Sequence, residues 1–230
     1  MKTSLLALKI KWRFSIRWFL FYLLLPSCVL INAVFAQETK GTRSLDGKVK
    51  KFLENHRKEW MDWNVSEADG KVLYDLIMKN NYKKALEIGT STGHSAIWMA
   101  WALSKTGGKL ITIEIDRDRH EKALANFKEA GLSDYIDARL ADAHELVKEL
   151  IGPFDFVFSD ADKEWYKNYF VILAPKLEVG GCFTAHNVLR PHWRGIGEFL
   201  DYVESLPNFE TTIDRSSREG ISISYKKDER

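Results

Sequence analysis

LEIGTSTGHS, residues 86–95, is the stretch on which the fold turns. Leu86 and Ile88 suit a strand. Gly89 and Gly93 bend the chain and let a ligand approach the backbone closely, because neither carries a Cβ. A helix, HSAIWMAWALSK (94–105), starts directly after them and ends at Gly107-Gly108. Its first turn offers free N–H groups and the positive end of a helix dipole. A pyrophosphate-binding turn reads Gly-x-Gly-x-x-Gly. Here Ser91 stands at the second glycine, and the third is missing. Glu87, at the strand end, is badly placed beside a pyrophosphate and well placed beside a cationic ligand that bears an amine and a sulfonium. The plainer reading of the same residues is an ordinary strand–turn–helix.

Outward from this turn, strands and helices alternate. Strands are expected at 83–89, 109–116, 135–142, 153–162 and 180–188, and helices at 94–105, 119–131, 143–150, 163–177 and 195–206. Upstream, Ser66 reads as the N-cap of a helix over SEADGKVLYDLIMKN, with Glu67 and Asp69 as first-turn acids. Gly131 reads as a C-cap. Such alternation implies an α/β fold, with five parallel strands and helices on both faces. FETTIDR (209–215) and GISISYKK (220–227) add a C-terminal antiparallel hairpin at one edge, for a mostly parallel seven-stranded sheet.

With 230 residues, of which 45% are hydrophobic, the chain can fill one core and not two. Its net charge of +2 is uneven. Lys2, Lys9, Lys11, Arg13 and Arg17 give residues 1–36 a charge of +5, leaving −3 for residues 37–230. That mildly acidic remainder excludes a broad nucleic-acid surface. Trp18–Ala36 holds no charged residue, and with the basic stretch before it resembles a secretory signal peptide cut after Ala36, or an uncleaved membrane anchor. Either would take the protein out of the cytoplasm, exported or membrane-anchored. Residues 37–59 read as a polar spacer running into a helix, and 60–230 as the folded domain. Of the two cysteines, Cys28 and Cys182, only Cys182 would survive cleavage, so packing rather than an internal disulfide must stabilise the domain.

Three further clusters could carry chemistry. Glu114, in TIEID (112–116), ends the second strand, where a carboxylate can accept from both hydroxyls of a ribose; Asp116 could do the same or cap the next helix. SDADKEWY (159–166) ends the fourth strand. Asp160 there suits a hard cation or a ligand's amine, and Lys163 a base or an oxyanion holder. A solvated helix start is the plainer reading. His186 and Asn187 end the fifth strand beside Asp160 and could ligate a metal of intermediate hardness with it, His192 being a weaker candidate. Trp98 and Trp101 read as core, whereas Trp60, Trp63, Trp165 and Trp193 lie near element ends where an aromatic acceptor could pack.

LEIGTSTGHSAIWMA, TIEID, FDFVFSDADKEWYKNYF and LEVGGCFTAHNVL, in that order and spacing, resemble the cation-dependent O-methyltransferases, the family of the caffeoyl-CoA and catechol enzymes. The resemblance covers about residues 60–227, and its sharpest signature is Asp-Ala-Asp-Lys, 160–163. It implies a Rossmann-like class I methyltransferase fold, S-adenosylmethionine (SAM) as cofactor, a small catechol-like or phenolic acceptor, and a homodimer. It also implies roles: Glu87, Gly89, Ser91 and Ser95 along the methionine moiety, with Gly93 in the same turn; Glu114 at the ribose; Asp142 and Ala143 at the adenine; Asp160 as metal ligand and Lys163 as base. The family's remaining metal ligands are an Asp-Asn pair. Here Asn187 keeps the second, and His186 replaces the first. That exchange disfavours magnesium and leaves a softer metal, or none. Two other readings stand beside it: a nucleotide-cofactor oxidoreductase, which wants the missing glycine, and a non-catalytic binding protein on a methyltransferase fold.

Overall fold

Each of five strands is followed by a helix that carries the chain back to the start of the sheet, so the strands pair in parallel. They are β1 (Lys84–Ile88), β2 (Lys109–Glu114), β3 (Ile136–Leu140), β4 (Phe154–Ser159) and β5 (Leu177–His186). β6 (Phe209–Asp214) and β7 (Ile221–Lys226) form the hairpin, and β7 pairs antiparallel with β5. The order across the seven strands is β3-β2-β1-β4-β5-β7-β6. This computed structural model describes residues 44–61, 63–189 and 193–228. The chain divides into two units, Met1–Leu45 and Asp46–Arg230, and the sheet belongs to the second.

The helices are α1 (residues 44–55), α2 (Glu67–Asn80), α3 (His94–Thr106), α4 (Arg117–Ala130), α5 (Ala143–Glu149), α6 (Tyr166–Leu173) and α7 (Arg194–Glu204). Ser66 caps α2 as read from sequence, its hydroxyl accepting from Asp69 N at 3.1 Å. Gly131 closes α4 at φ +78°, in the left-handed region that glycine enters without a Cβ clash. On one face Tyr166, Phe170, Phe183 and Phe199 pack into an aromatic core beneath α6 and α7. Cys182, in β5, is buried and free.

Two boundaries differ from expectation. The helix expected over 163–177 is a short α6 flanked by 3-10 turns, Lys163–Trp165 and Ala174–Lys176. Asp162 caps the first, and Pro175 sits in the second, where it has no N–H to continue an α-helical ladder. β5 starts at Leu177, three residues before the expected start at Gly180, and runs through Gly180-Gly181. The β4–β5 register shifts between Phe154 and Phe156, so the glycine pair sits in a bulge.

The expectation of an exported or membrane-anchored protein is corrected. Among the described residues no helix is long and apolar enough to cross a membrane. Residues 1–36, on which the expectation rested, lie outside the described residues, as does His192.

Gly70 lets α2 lie against α3, because a Cβ there would stand 2.2 Å from the Trp98 ring. Helix propensity alone favours Gly70→Ala by up to about 1 kcal/mol. Packing reverses the sign: the substitution should destabilise the protein by about 1–3 kcal/mol in urea unfolding. A stabilised variant would show that the α2–α3 contact yields freely.

Candidate functional site

Parallel register sets three acids on neighbouring strands at one edge. Ile88 is opposite both Ile113 and Ser159, so Glu87 at the end of β1, Glu114 at the end of β2 and Asp160 just past β4 share the carboxyl end of the sheet. All three are withdrawn from water, with Glu87 wholly buried.

Each carboxylate is compensated differently. Glu87 Oε1 accepts from Ser95 Oγ, and Oε2 accepts from Thr112 Oγ1, both at 2.5 Å. Thr112, its one hydroxyl hydrogen so used, accepts from Thr90. Burial pushes the Glu87 carboxyl up to about 8; the two hydroxyls pull it down, and the charges of Asp160 and Glu114 add to the rise. Glu114 is held by backbone donors: Ser91 N at 2.7 Å, Asp116 N at 2.9 Å and Ile115 N at 3.0 Å. Asp116 itself caps α4, accepting from Arg119 N, one of the two roles its position allowed.

The turn between β1 and α3 is strapped down. Gly89 N and Thr90 N both donate to Ile113 O, and Asp160 N donates to Ile88 O. Gly89 has φ +97°, and a Cβ on it would meet the Asp160 carbonyl oxygen at 2.8 Å. Gly93 has φ +98° and faces the Phe127 ring, which a Cβ would meet at 2.5 Å. Ser91 is also left-handed, at φ 49°. These glycines therefore serve close backbone packing as well as an open cradle. Sequence reasoning missed the groups that brace this turn. Asn126 donates to Thr92 O, Asn64 donates to the Thr92 hydroxyl, and the His94 ring bridges Val65 O and the Trp98 N–H while Trp60 stacks on it.

Further along the edge Asp142 caps α5 through His144 N, with Ala143 nearly buried behind it. The His144 ring lies parallel to Tyr169 and edge-on to Trp165, an aromatic group beside the expected adenine residues that sequence reading had not singled out. Trp165 is thus committed to α5–α6 packing, while Trp63 is exposed.

Asp160 is the hub of the remaining charges. Its Oδ1 accepts from Lys163 Nζ at 2.5 Å, and its Oδ2 lies 3.1 Å from His186 Nδ1. The other ring nitrogen, Nε2, lies 3.2 Å from Asp69 Oδ2, an ion-pair separation without the alignment of a full hydrogen bond. Burial alone would lower the His186 imidazole, but Asp160 and Asp69 overcome it and raise it to about 9. Burial likewise works against the Asp160 anion, yet the neighbouring His186 and Lys163 charges hold its carboxyl below the usual range. Asp160, Lys163 and His186 therefore meet as the sequence implied. Asn187, left-handed at φ 60°, instead sends its amide N–H to Glu219 at 3.2 Å. Among the described residues no group of three or more His, Cys, Asp or Glu side chains is arranged to hold a metal ion.

A cavity of about 850 Å³ opens elsewhere, against α2 and α3, lined by Trp60, Tyr74, Trp98, Trp101, Lys50 and Lys105 among others. It takes in none of the three strand-end acids, so the acids rather than the void mark the site. Trp98 and Trp101, expected in the core, border this cavity; Trp101 is buried as expected and Trp98 only partly so.

The family model described as O-methyltransferase matches residues 43–202. The chain belongs to that family. It is similar to caffeoyl-CoA O-methyltransferase 1 of Eucalyptus globulus, 37% identical over 172 residues that cover 73% of this chain and 66% of the relative. The chain thus spans just under two thirds of that relative's length. Among solved structures it is similar to an O-methyltransferase from Bacillus cereus in complex with SAH, with a TM-score of 0.68 and 27% identity over 79% of this chain and 91% of the other. It is also similar to the O-methyltransferase TomG from Streptomyces achromogenes in complex with SAM, with a TM-score of 0.67 and 26% identity over 79% and 90%.

Glu87 yields a test in the cofactor-free protein. Its carboxyl ionises near 4.5 when unfolded and at about 8 when folded. The folded state therefore holds a proton that the unfolded chain has released. The stability this contributes is complete below about pH 4.5 and is lost as pH rises through about 8. Glu87→Gln should flatten the fall in urea stability across that window. An unchanged slope would place the proton on another group.

Proposed function

We propose that the protein transfers the methyl group of SAM to a hydroxyl of a small phenolic or catechol-like acceptor, with residues 60–230 as the transferase domain. The observation that carries this reading is the row of buried acids, Glu87, Glu114 and Asp160, along one strand-end edge. A row of acids with so little solvent suits a ligand that brings positive charge, and SAM brings an ammonium and a sulfonium.

In this reading Glu87, Gly89, Ser91, Gly93 and Ser95 line the methionine moiety, and the Glu114 carboxylate accepts from the ribose hydroxyls. Asp142 and Ala143, with the His144 ring, border the adenine. Methyl transfer asks little covalent help of a protein; it asks that the acceptor oxygen be held in line with the methyl carbon and be deprotonated in time. The oxygen's electron pair forms the new C–O bond, the S–C bond breaks, and its pair stays on sulfur, leaving SAH. Lys163, paired with Asp160, brings a cation to the end of β4. We assign it the task of steadying the phenolate oxygen while the proton leaves to water. The resemblance to the O-methyltransferases carries the expectation of a homodimer, for which light scattering should report two chains per particle.

Two variants separate binding from chemistry. Glu114→Ala should weaken SAM binding roughly a hundredfold by calorimetry, since it removes hydrogen bonds to a charged group worth about 1.5–3 kcal/mol each. Lys163→Met should lower the rate of methyl transfer to a catechol by about 10²-fold while leaving SAM affinity nearly intact. Undiminished SAM affinity in the first variant, or an undiminished rate in the second, would contradict these assignments.

A further inference from the structure

The ends of β4 and β5 hold an unbroken chain of charge. It runs from Lys163 to Asp160, from Asp160 to His186, and from His186 to Asp69. The order is cation, anion, ring, anion, and every member except Lys163 is at most one-tenth exposed. Asp69 enters from α2, where Ser66 Oγ also donates to its Oδ2 at 2.7 Å.

A divalent cation at this place needs free lone pairs, and the side chains spend theirs on one another. Both oxygens of Asp160 are engaged, one by Lys163 and one by His186. A histidine ligand must turn one bare nitrogen to the metal. His186 has a carboxylate oxygen beside each ring nitrogen instead, at 3.1 and 3.2 Å. A carboxylate oxygen at that distance favours an N–H on the ring nitrogen over a bare lone pair. Asn187 is oriented by its amide N–H to Glu219 in the loop before β7, and its single neutral carbonyl oxygen cannot hold a divalent ion by itself. The donors present therefore do not fit a metal ion.

We propose that this protein has exchanged the divalent-cation site of its family for an internal ion network, Asp69–His186–Asp160–Lys163, in which His186 stands in place of a metal-ligating Asp. The network supplies positive charge beside the acceptor from the chain's own side chains. Asp69 lies beside the second ring nitrogen and joins α2 to the site. This rests on the methyltransferase reading for what the site is used for, but not for whether it binds a cation.

The test is binding of Mn²⁺, followed by the loss of the free-ion electron paramagnetic resonance signal, with protein in excess and SAH and catechol present. Wild-type protein should leave the signal unchanged. His186→Asp, which restores two acids and an amide, should take up about one equivalent and show a melting temperature that rises with added Mn²⁺. Uptake of one equivalent by the wild type overturns the proposal. So does a folded His186→Asp protein that takes up none, since the histidine would then not be what excludes the ion. If His186→Asp does not fold, the wild-type titration decides alone. SAH binding is read separately by calorimetry in the same samples, so failure of the cofactor reading is distinguishable from failure of this one.

Discussion

Burying three carboxylates along one edge of a parallel sheet is the constraint on which the rest of this structure depends. In a poorly solvated edge, an acid must be neutralised, hydrogen-bonded or paired. Glu87 is relieved by keeping its proton, Glu114 by three backbone N–H groups, and Asp160 by Lys163 and His186. The features around them follow. The turn at 89–93 must bend back far enough to bring Ser91 N to Glu114. Thr112 must sit on β2 opposite Glu87. The first residues past β4 must place Lys163 over Asp160.

The same acids link the fold to its chemistry. Glu87 gains from a cation because its carboxyl is held near 8 by burial, where little electrostatic encouragement is needed to release the proton. Asp160 is already matched by fixed charges, so the β4–β5 end is organised before any acceptor arrives. His186 and Asp69 also fasten α2 to the strand ends, which couples the position of this helix to the charge at the site.

Much of this was legible in the sequence, where local rules operate. Ser66 and Gly131 announced their caps by residue type, and the runs around Leu86, Ile113 and Val157 announced strands by composition. Glu87, Glu114 and Asp160 could be placed together because parallel strands start from a common edge. What escaped were contacts between distant segments. Asp69 read as a helix first-turn acid, a role it also fills, and nothing local says that its carboxylate reaches His186. Thr112 looked like any polar residue of a strand, and Gly180-Gly181 like the plain start of one, because the hydrogen bond and the bulge are each defined by a partner strand.

The central claim is that the strand-end acids are a cofactor cleft with its reactive end toward Asp160 and Lys163. A crystal structure with SAH bound tests it most directly. The account expects the ribose hydroxyls within hydrogen-bond distance of the Glu114 carboxylate, the amino group on the Glu87 side of the Gly89 turn, and the sulfur facing the Asp160–Lys163 pair. SAH seated elsewhere, or its ribose turned away from Glu114, would contradict the account.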